Sequence, residues 1–327
     1  MSVANAVRAC LGLLMLLSAF AASSLWVSVA QAEEAGTQAP VGTLDTVGSD
    51  TMAGLMLRWD EHLAREHPGM RLQLKASGSA SAPPALTAGT TLLGPMSRPM
   101  TDDERAAFER RHGYPVESLV VARDALVVVV HRHNPLTSLS FVELDAIFSE
   151  TRRCGGEAGL RRWSSLLDGT FQGLIAPHGR NAVSGTHELF RREALCNGAF
   201  RPQVREHPGS AAVVSAVSAD PRGIGYAGLN HLTPGVKTVA LRDAQGVEHR
   251  PQPEAVQRGD YPFSRDLRLY VNRPPDEPLP AVERAFIDLL LSPEGQAIAE
   301  EMGFVALPRA VLDRQRRRLG LVPLSPP

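Results

Sequence analysis

Apolar residues recur along the chain with two spacings, one suited to helices and one to strands. Met52, Leu55, Trp59 and Leu63 lie on one helical face behind the turn Gly48-Ser49-Asp50-Thr51. Arg71-Leu72-Gln73-Leu74 alternates as a short strand does, and Thr91-Leu92-Leu93 reads as another. The stretch from Thr43 to Arg98 is thus strand–helix–strand–helix–strand. The run Val120 to Val130 is the most strand-like in the chain and carries the charged pair Arg123-Asp124 in its middle. Ser140 and Glu143 form a capping box at the head of a helix reaching Phe148. Helices are also predicted over His187–Leu195, Ala212–Ala219 and Pro280–Leu291, with strands at Gly223–Tyr226 and Leu267–Val271. Strands interleaved with helices in this way predict an α/β fold.

Residues 1–32 stand apart from that pattern. A positive residue, Arg8, precedes the apolar run Leu11–Phe20, and Ala30-Gln31-Ala32 is an A-x-A cleavage signal, so cleavage after Ala32 is expected. A polar linker, 33–42, follows. The mature protein is expected in the periplasm or secreted. Its two remaining cysteines, Cys154 and Cys196, favour a disulfide in an oxidising compartment. The net charge of −1 leaves no electrostatic footprint for nucleic acid. Arg314 to Arg318 reads as a solvated helix face.

The segment Gly179-Arg180-Asn181-Ala182-Val183-Ser184-Gly185-Thr186 carries the most chemistry. It sets a planar fork of donors, Arg180, just before a Ser-Gly-Thr turn that opens a helix. Helix N-termini hold anions through unpaired N–H groups and the positive end of the dipole. Ser184 and Thr186 offer hydroxyls, and Gly185 admits close approach of the backbone. Capping alone is the competing role for Ser184 or Thr186. The turn at Gly48–Met52 repeats the arrangement elsewhere in the chain. Two such turns suit a small oxyanion clamped from two sides. Serine- and glycine-rich loops at 77–81 and 94–99 end further strands, where parallel α/β sheets place ligands. Asp124, inside an apolar strand, needs a partner, either a structural arginine or the ligand.

Enzyme motifs are missing. His187-Glu188 lacks the second histidine of H-E-x-x-H, and no G-x-S-x-G elbow occurs. His131-Arg132-His133 has no carboxylates at metal-ligand spacing, so no metal site and no cofactor is expected.

Taken in order, several segments resemble the periplasmic phosphate-binding receptors of ABC phosphate importers. They are Gly48–Met52, Ser97-Arg98-Pro99, Arg123–Leu126, Arg180–Thr186, Gly223–Tyr226, Tyr261–Arg265 and Leu291–Gln296. The resemblance covers nearly all of the mature chain. It implies a two-lobed periplasmic-binding-protein fold, with two crossover hinge strands and a ligand cleft between the lobes. Residues 43–127 and 263–327 would form lobe one, and 128–262 lobe two. Phosphate would be held by Ser49 or Thr51 and the backbone N–H of Met52, by Ser79 and Ser97, and by Arg180, Ser184, Gly185 and Thr186 across the cleft. Some family members carry Asp where this chain has Ser97. Arg98 is then expected either to contact the anion or to hold Asp124 in place, with Asp124 as the nearest candidate to accept the phosphate proton. The implied protein is a monomeric, non-catalytic carrier delivering phosphate to importer membrane subunits. Another oxyanion such as sulfate, molybdate or tungstate, a secreted phosphatase, or an adhesive protein on the same scaffold are the alternatives.

Overall fold

The computed structural model describes residues 39–324 except 168, 170 and 276. The expected leader 1–32, residues 33–38 of the expected linker and the terminal 325–327 lie outside the described residues.

The first half of the sheet comprises β1 (Gly42–Val47), β2 (Met70–Lys75), β3 (Leu93–Met96), β4 (Glu117–His131) and β11 (Ser264–Val271), in the order β2-β1-β3-β11-β4. β1 runs parallel to β2 and β3, whereas β11 is antiparallel to both β3 and β4. The second half contains β6 (Ala176–Arg180), β7 (Arg205–His207) and β8 (Gly223–Gly228), in the order β4-β8-β6-β7. β9 (Val236–Arg242) also pairs with β4 and carries β5 (Ser138–Ser140) and β10 (Glu248–His249).

The fifteen residues of β4 serve both halves. Glu117–Ala125 pairs with β11, and Leu126–Val130 pairs with β8. Its valine run is buried throughout, as a strand covered on both faces must be.

Two main cores follow the same division. One gathers Leu44, Trp59, Leu119, Leu267 and Phe286 with their neighbours, and the other gathers Val127–Val130, Phe148, Phe190, Tyr226 and Phe263. A smaller cluster packs Phe108 and Tyr270 under α2 (Ala82–Ala88) and α3 (Asp102–His112). α1 (Ala53–Glu66) buries Leu55, Met56, Trp59 and Leu63 against the first core, as its spacing predicts. α4 (Phe141–Phe148) has the capping box read from Ser140 and Glu143. α5 (Gly185–Ala194), α6 (Ser210–Ala219) and α7 (Pro253–Arg258) flank the second half. α8 (Ala281–Leu290), α9 (Pro293–Glu301) and α10 (Arg309–Arg318) return to the first.

Three expectations need correcting. The third strand is β3 at Leu93–Met96, not Thr91–Leu93. Thr91 turns its hydroxyl onto the carbonyls of Asp45 and Leu93, delaying the strand. Pro95 is tolerated because β1 pairs with β3 at Leu93, leaving no donor required at Pro95 on that side. α5 begins two residues earlier than expected, with Ser184 as its N-cap. In the basic cluster, Arg316 is buried rather than solvated, donating to Asp288 at 2.6 Å and to the Val322 carbonyl at 2.7 Å. Cys154 and Cys196 form the disulfide, with Cα atoms 5.4 Å apart. Closing a 42-residue separation stabilises by about 4 kcal/mol on the chain-entropy argument.

Candidate functional site

Three loops at the ends of β1, β2 and β3 meet the start of α5. The β1 loop is pressed against the sheet: Ser49 N donates to the Pro95 carbonyl at 2.7 Å, and Gly48 N to Lys75 at 3.0 Å. A Cβ on Gly48 would lie 2.1 Å from the Pro95 oxygen, so only glycine allows this approach. Gly78, at φ 105°, lets the second loop turn; its own Cβ would strike the Val183 carbonyl at 2.6 Å. The same carbonyl accepts from Ala80 N at 3.2 Å, joining the β2 loop to the loop before α5.

A continuous polar network crosses between them. Ser79 Oγ lies 3.1 Å from Ser97 Oγ and accepts from Ser97 N at 3.0 Å. Thr51 Oγ1 lies 3.2 Å from Thr186 Oγ1, 135 residues away in sequence. Arg265 donates from Nη1 to Thr186 Oγ1 at 3.0 Å, and from Nε and Nη2 to Asp124 Oδ2 at 2.9 and 2.5 Å. Arg180 donates from Nη2 to Asp50 Oδ2 at 2.7 Å and to the Pro208 carbonyl at 2.8 Å. Its Nη1 donates to Ser210 Oγ at 3.2 Å, and Tyr226 Oη receives its backbone N–H at 3.1 Å. Burial presses the Arg180 guanidinium below its ordinary range, while Asp50 works in the opposite direction. Burial likewise holds His231 below its usual range, despite the nearby carboxylates of Asp124 and Asp50.

Ser49, Thr51, Met52, Ser79, Ser97, Asp124, Arg180, Ser184, Gly185 and Thr186 are all buried at these loops and strand ends. Two of their polar atoms, Ser49 Oγ and Asp124 Oδ1, are buried with no hydrogen-bond partner among the described residues. Orphaned polar atoms are costly unless they serve a ligand or water. Ser184 Oγ accepts from Thr186 N at 3.1 Å, so the capping role is real. Its hydroxyl hydrogen remains available to donate.

Arg98 is placed differently from expectation. Its guanidinium makes a two-pronged contact with Glu104, both bonds 2.7 Å, and also donates to the Pro99 carbonyl. Burial opposes its charge, but that contact more than offsets it, and its pKa is raised. Glu104 sits there because Thr101 caps α3 and fixes Glu104 in the first turn. Asp124 is therefore held by Arg265, not Arg98, because the two strands put Arg265 directly opposite Asp124. Sequence reasoning also passed over Asp50 and Ser210. A signal for Arg265 existed: it shares the buried parity of Leu267, Leu269 and Val271 along β11.

Gly185 sets the fit of the crossing. A Cβ there would lie 2.6 Å from both Ser79 Oγ and Ser97 Oγ. Those hydroxyls are bound to each other and cannot both retreat freely. Overpacking of this kind costs about 1–3 kcal/mol. Gly185→Ala should weaken anion binding by roughly five- to a hundred-fold, measured by calorimetry. Unchanged affinity would mean that this crossing is not part of the bound state.

The two-part α/β sheet, the shared strand and the buried polar crossing define a solute-binding protein of the type II periplasmic class. The PBP superfamily domain matches residues 33–294. The phosphate-binding protein PstS of Pseudomonas aeruginosa is 46% identical over 285 residues, 86% of this chain and 88% of that one. PstS of Staphylococcus epidermidis is 26% identical over 84% of this chain and 82% of its own. In three dimensions the chain is similar to an ABC-type phosphate transport receptor from Vibrio cholerae. There the TM-score is 0.65 at 19% identity, covering 81% of this chain and 100% of that one. The chain belongs to the PstS-type family of phosphate-binding proteins within the PBP superfamily.

Proposed function

We propose that the protein captures one inorganic phosphate at this crossing and hands it to the membrane subunits of an ABC importer. Membership of the PstS-type family makes it an exported, non-catalytic carrier. In this reading residues 43–127 and 263–327 act as one lobe and 128–262 as the other, after cleavage of the leader behind Ala32. Thr51, Ser79, the Met52 and Gly185 amides, Ser184 and Thr186 donate to the phosphate oxygens. Arg180 supplies the fixed cation. Asp124 Oδ1 accepts the phosphate proton, and Ser49 Oγ is a further donor. Arg98 takes a supporting place, bracing the Ser97 loop through Glu104.

The observation that carries this reading is a set of atoms without a hydrogen-bond partner among the described residues, the Ser49 hydroxyl and the carboxylate oxygens Asp124 Oδ1 and Asp50 Oδ1, buried where loops 49–51, 79 and 97 meet Thr186 and Arg265. Phosphate near neutral pH both accepts hydrogen bonds and offers a proton, and so answers both kinds of atom. Calorimetry on ligand-stripped protein should show a single site for phosphate, with no hydrolysis of a chromogenic phosphate ester. Small-angle scattering should report a smaller radius of gyration with phosphate than without, since loops from two lobes must converge. Binding with an unchanged scattering profile would favour a site already closed or confined to one lobe. Absence of phosphate binding would overturn the reading.

A further inference from the structure

We propose that His62, Glu66 and Glu294 form a surface site for a divalent first-row transition-metal ion, with Zn2+ as the test ion. His62 and Glu66 stand four residues apart on α1, and Glu294 lies in the first turn of α9. His62 Nε2 is 3.1 Å from Glu294 Oε1 and 3.9 Å from Glu66 Oε1, and the three ligand atoms lie within 4.8 Å of one another. A tetrahedral zinc ion with bonds of about 2.0–2.1 Å holds its ligand atoms about 3.3 Å apart. The observed spacings bracket that value.

The imidazole separates this cluster from an ordinary acidic patch. His62 Nε2 is inaccessible and makes no hydrogen bond among the described residues, although a carboxylate oxygen is only 3.1 Å away. The approach has the distance of a hydrogen bond without its direction, as when two donors face a common ion. The two carboxylates are exposed at the rim, which leaves an entry path and a fourth position for water.

The helices that bring the groups together are fixed independently. Trp59 Nε1, one turn before His62, donates to the Gly295 carbonyl at 2.8 Å in a buried bond. Gly295 itself admits no side chain, since a Cβ would lie 1.9 Å from the Leu289 carbonyl oxygen. His62 and Glu294 are therefore held in position by groups that are not ligands. Imidazole with carboxylates suits zinc, nickel or copper, whereas calcium and magnesium prefer all-oxygen sites. None of the three residues belongs to the phosphate crossing.

The mature protein, in chelator- and phosphate-free buffer, should be titrated with ZnCl2 by calorimetry and by thermal shift, with MgCl2 and CaCl2 alongside. Zinc should bind at one site and raise Tm by roughly 5 °C at a hundredfold excess over Kd; magnesium and calcium should leave Tm unchanged. His62→Gln and Glu294→Gln should each weaken zinc at least ~10-fold, the loss that even an outer-shell partner produces, with phosphate affinity retained. If these groups form only an ion pair, zinc gives no heat and no shift. Zinc binding that survives both substitutions would assign it elsewhere and overturn the site.

Discussion

Arg180→Ala is expected to weaken phosphate binding by between roughly thirty-fold and several thousand-fold. Truncating one member of a buried charge pair costs about 2–5 kcal/mol, and each 1.4 kcal/mol or so is a factor of ten. The guanidinium is 1% exposed and anchored by Asp50, Ser210 and the Pro208 and His207 carbonyls, so its charge is fixed in place with one Nη1 hydrogen left to donate. On the proposed reading removal acts twice: phosphate loses a cation, and Asp50 is left as an uncompensated negative group beside it. Arg180→Ala combined with Asp50→Asn should therefore recover part of the loss. Calorimetry on stripped protein, with Tm as a check on folding, decides the matter. Near-native affinity in the single variant would remove Arg180 from the site.

Selectivity gives the second large effect. Phosphate near neutral pH keeps at least one proton, and sulfate keeps none. A carboxylate in the cleft accepts that proton from phosphate and repels sulfate. Asp124 is 1% exposed, with Oδ2 engaged by Arg265 and Oδ1 without a hydrogen-bond partner among the described residues. One oxygen is held by Arg265, and on the proposed reading the other meets the ligand. The wild type should prefer phosphate by several orders of magnitude. Asp124→Asn retains an acceptor oxygen but loses the charge, and Arg265 then stands less compensated. Like-charge juxtaposition costs several kcal/mol. Relieving it should raise sulfate affinity by about a hundred-fold or more, with a smaller change for phosphate. Competition titrations on both proteins measure this directly. Full discrimination in the variant would place the proton acceptor elsewhere and leave Asp124 as the partner of Arg265 alone.

Local signals in the sequence were readable where one segment contained the whole pattern. The apolar face of α1, the capping box at Ser140 and the alternation of β11 each depend on residues within a few positions. The small-residue turns at 48–52 and 184–186 were legible for the same reason, since backbone approach requires glycine beside hydroxyls. The partner of Asp124 was not: Arg265 lies 141 residues away and becomes its neighbour only through strand register. Arg98 was misread because it is near Ser97 in sequence, whereas the cap of α3 claims its guanidinium. The pairing of Arg180 with Asp50 joins positions 130 residues apart and was equally hidden.

β4 changes partners between Ala125 and Leu126, and Asp124 stands just before that change. A lever swings widely at its ends and hardly at all at its fulcrum. If the halves of the molecule rotate about this strand, Asp124 and Arg265 keep their pairing while Thr186 and Arg180 sweep toward them. The charge that reads the proton would be in place before any door shuts. An arriving ion would then be questioned at the threshold, and a sulfate turned away without the cost of a full closing stroke.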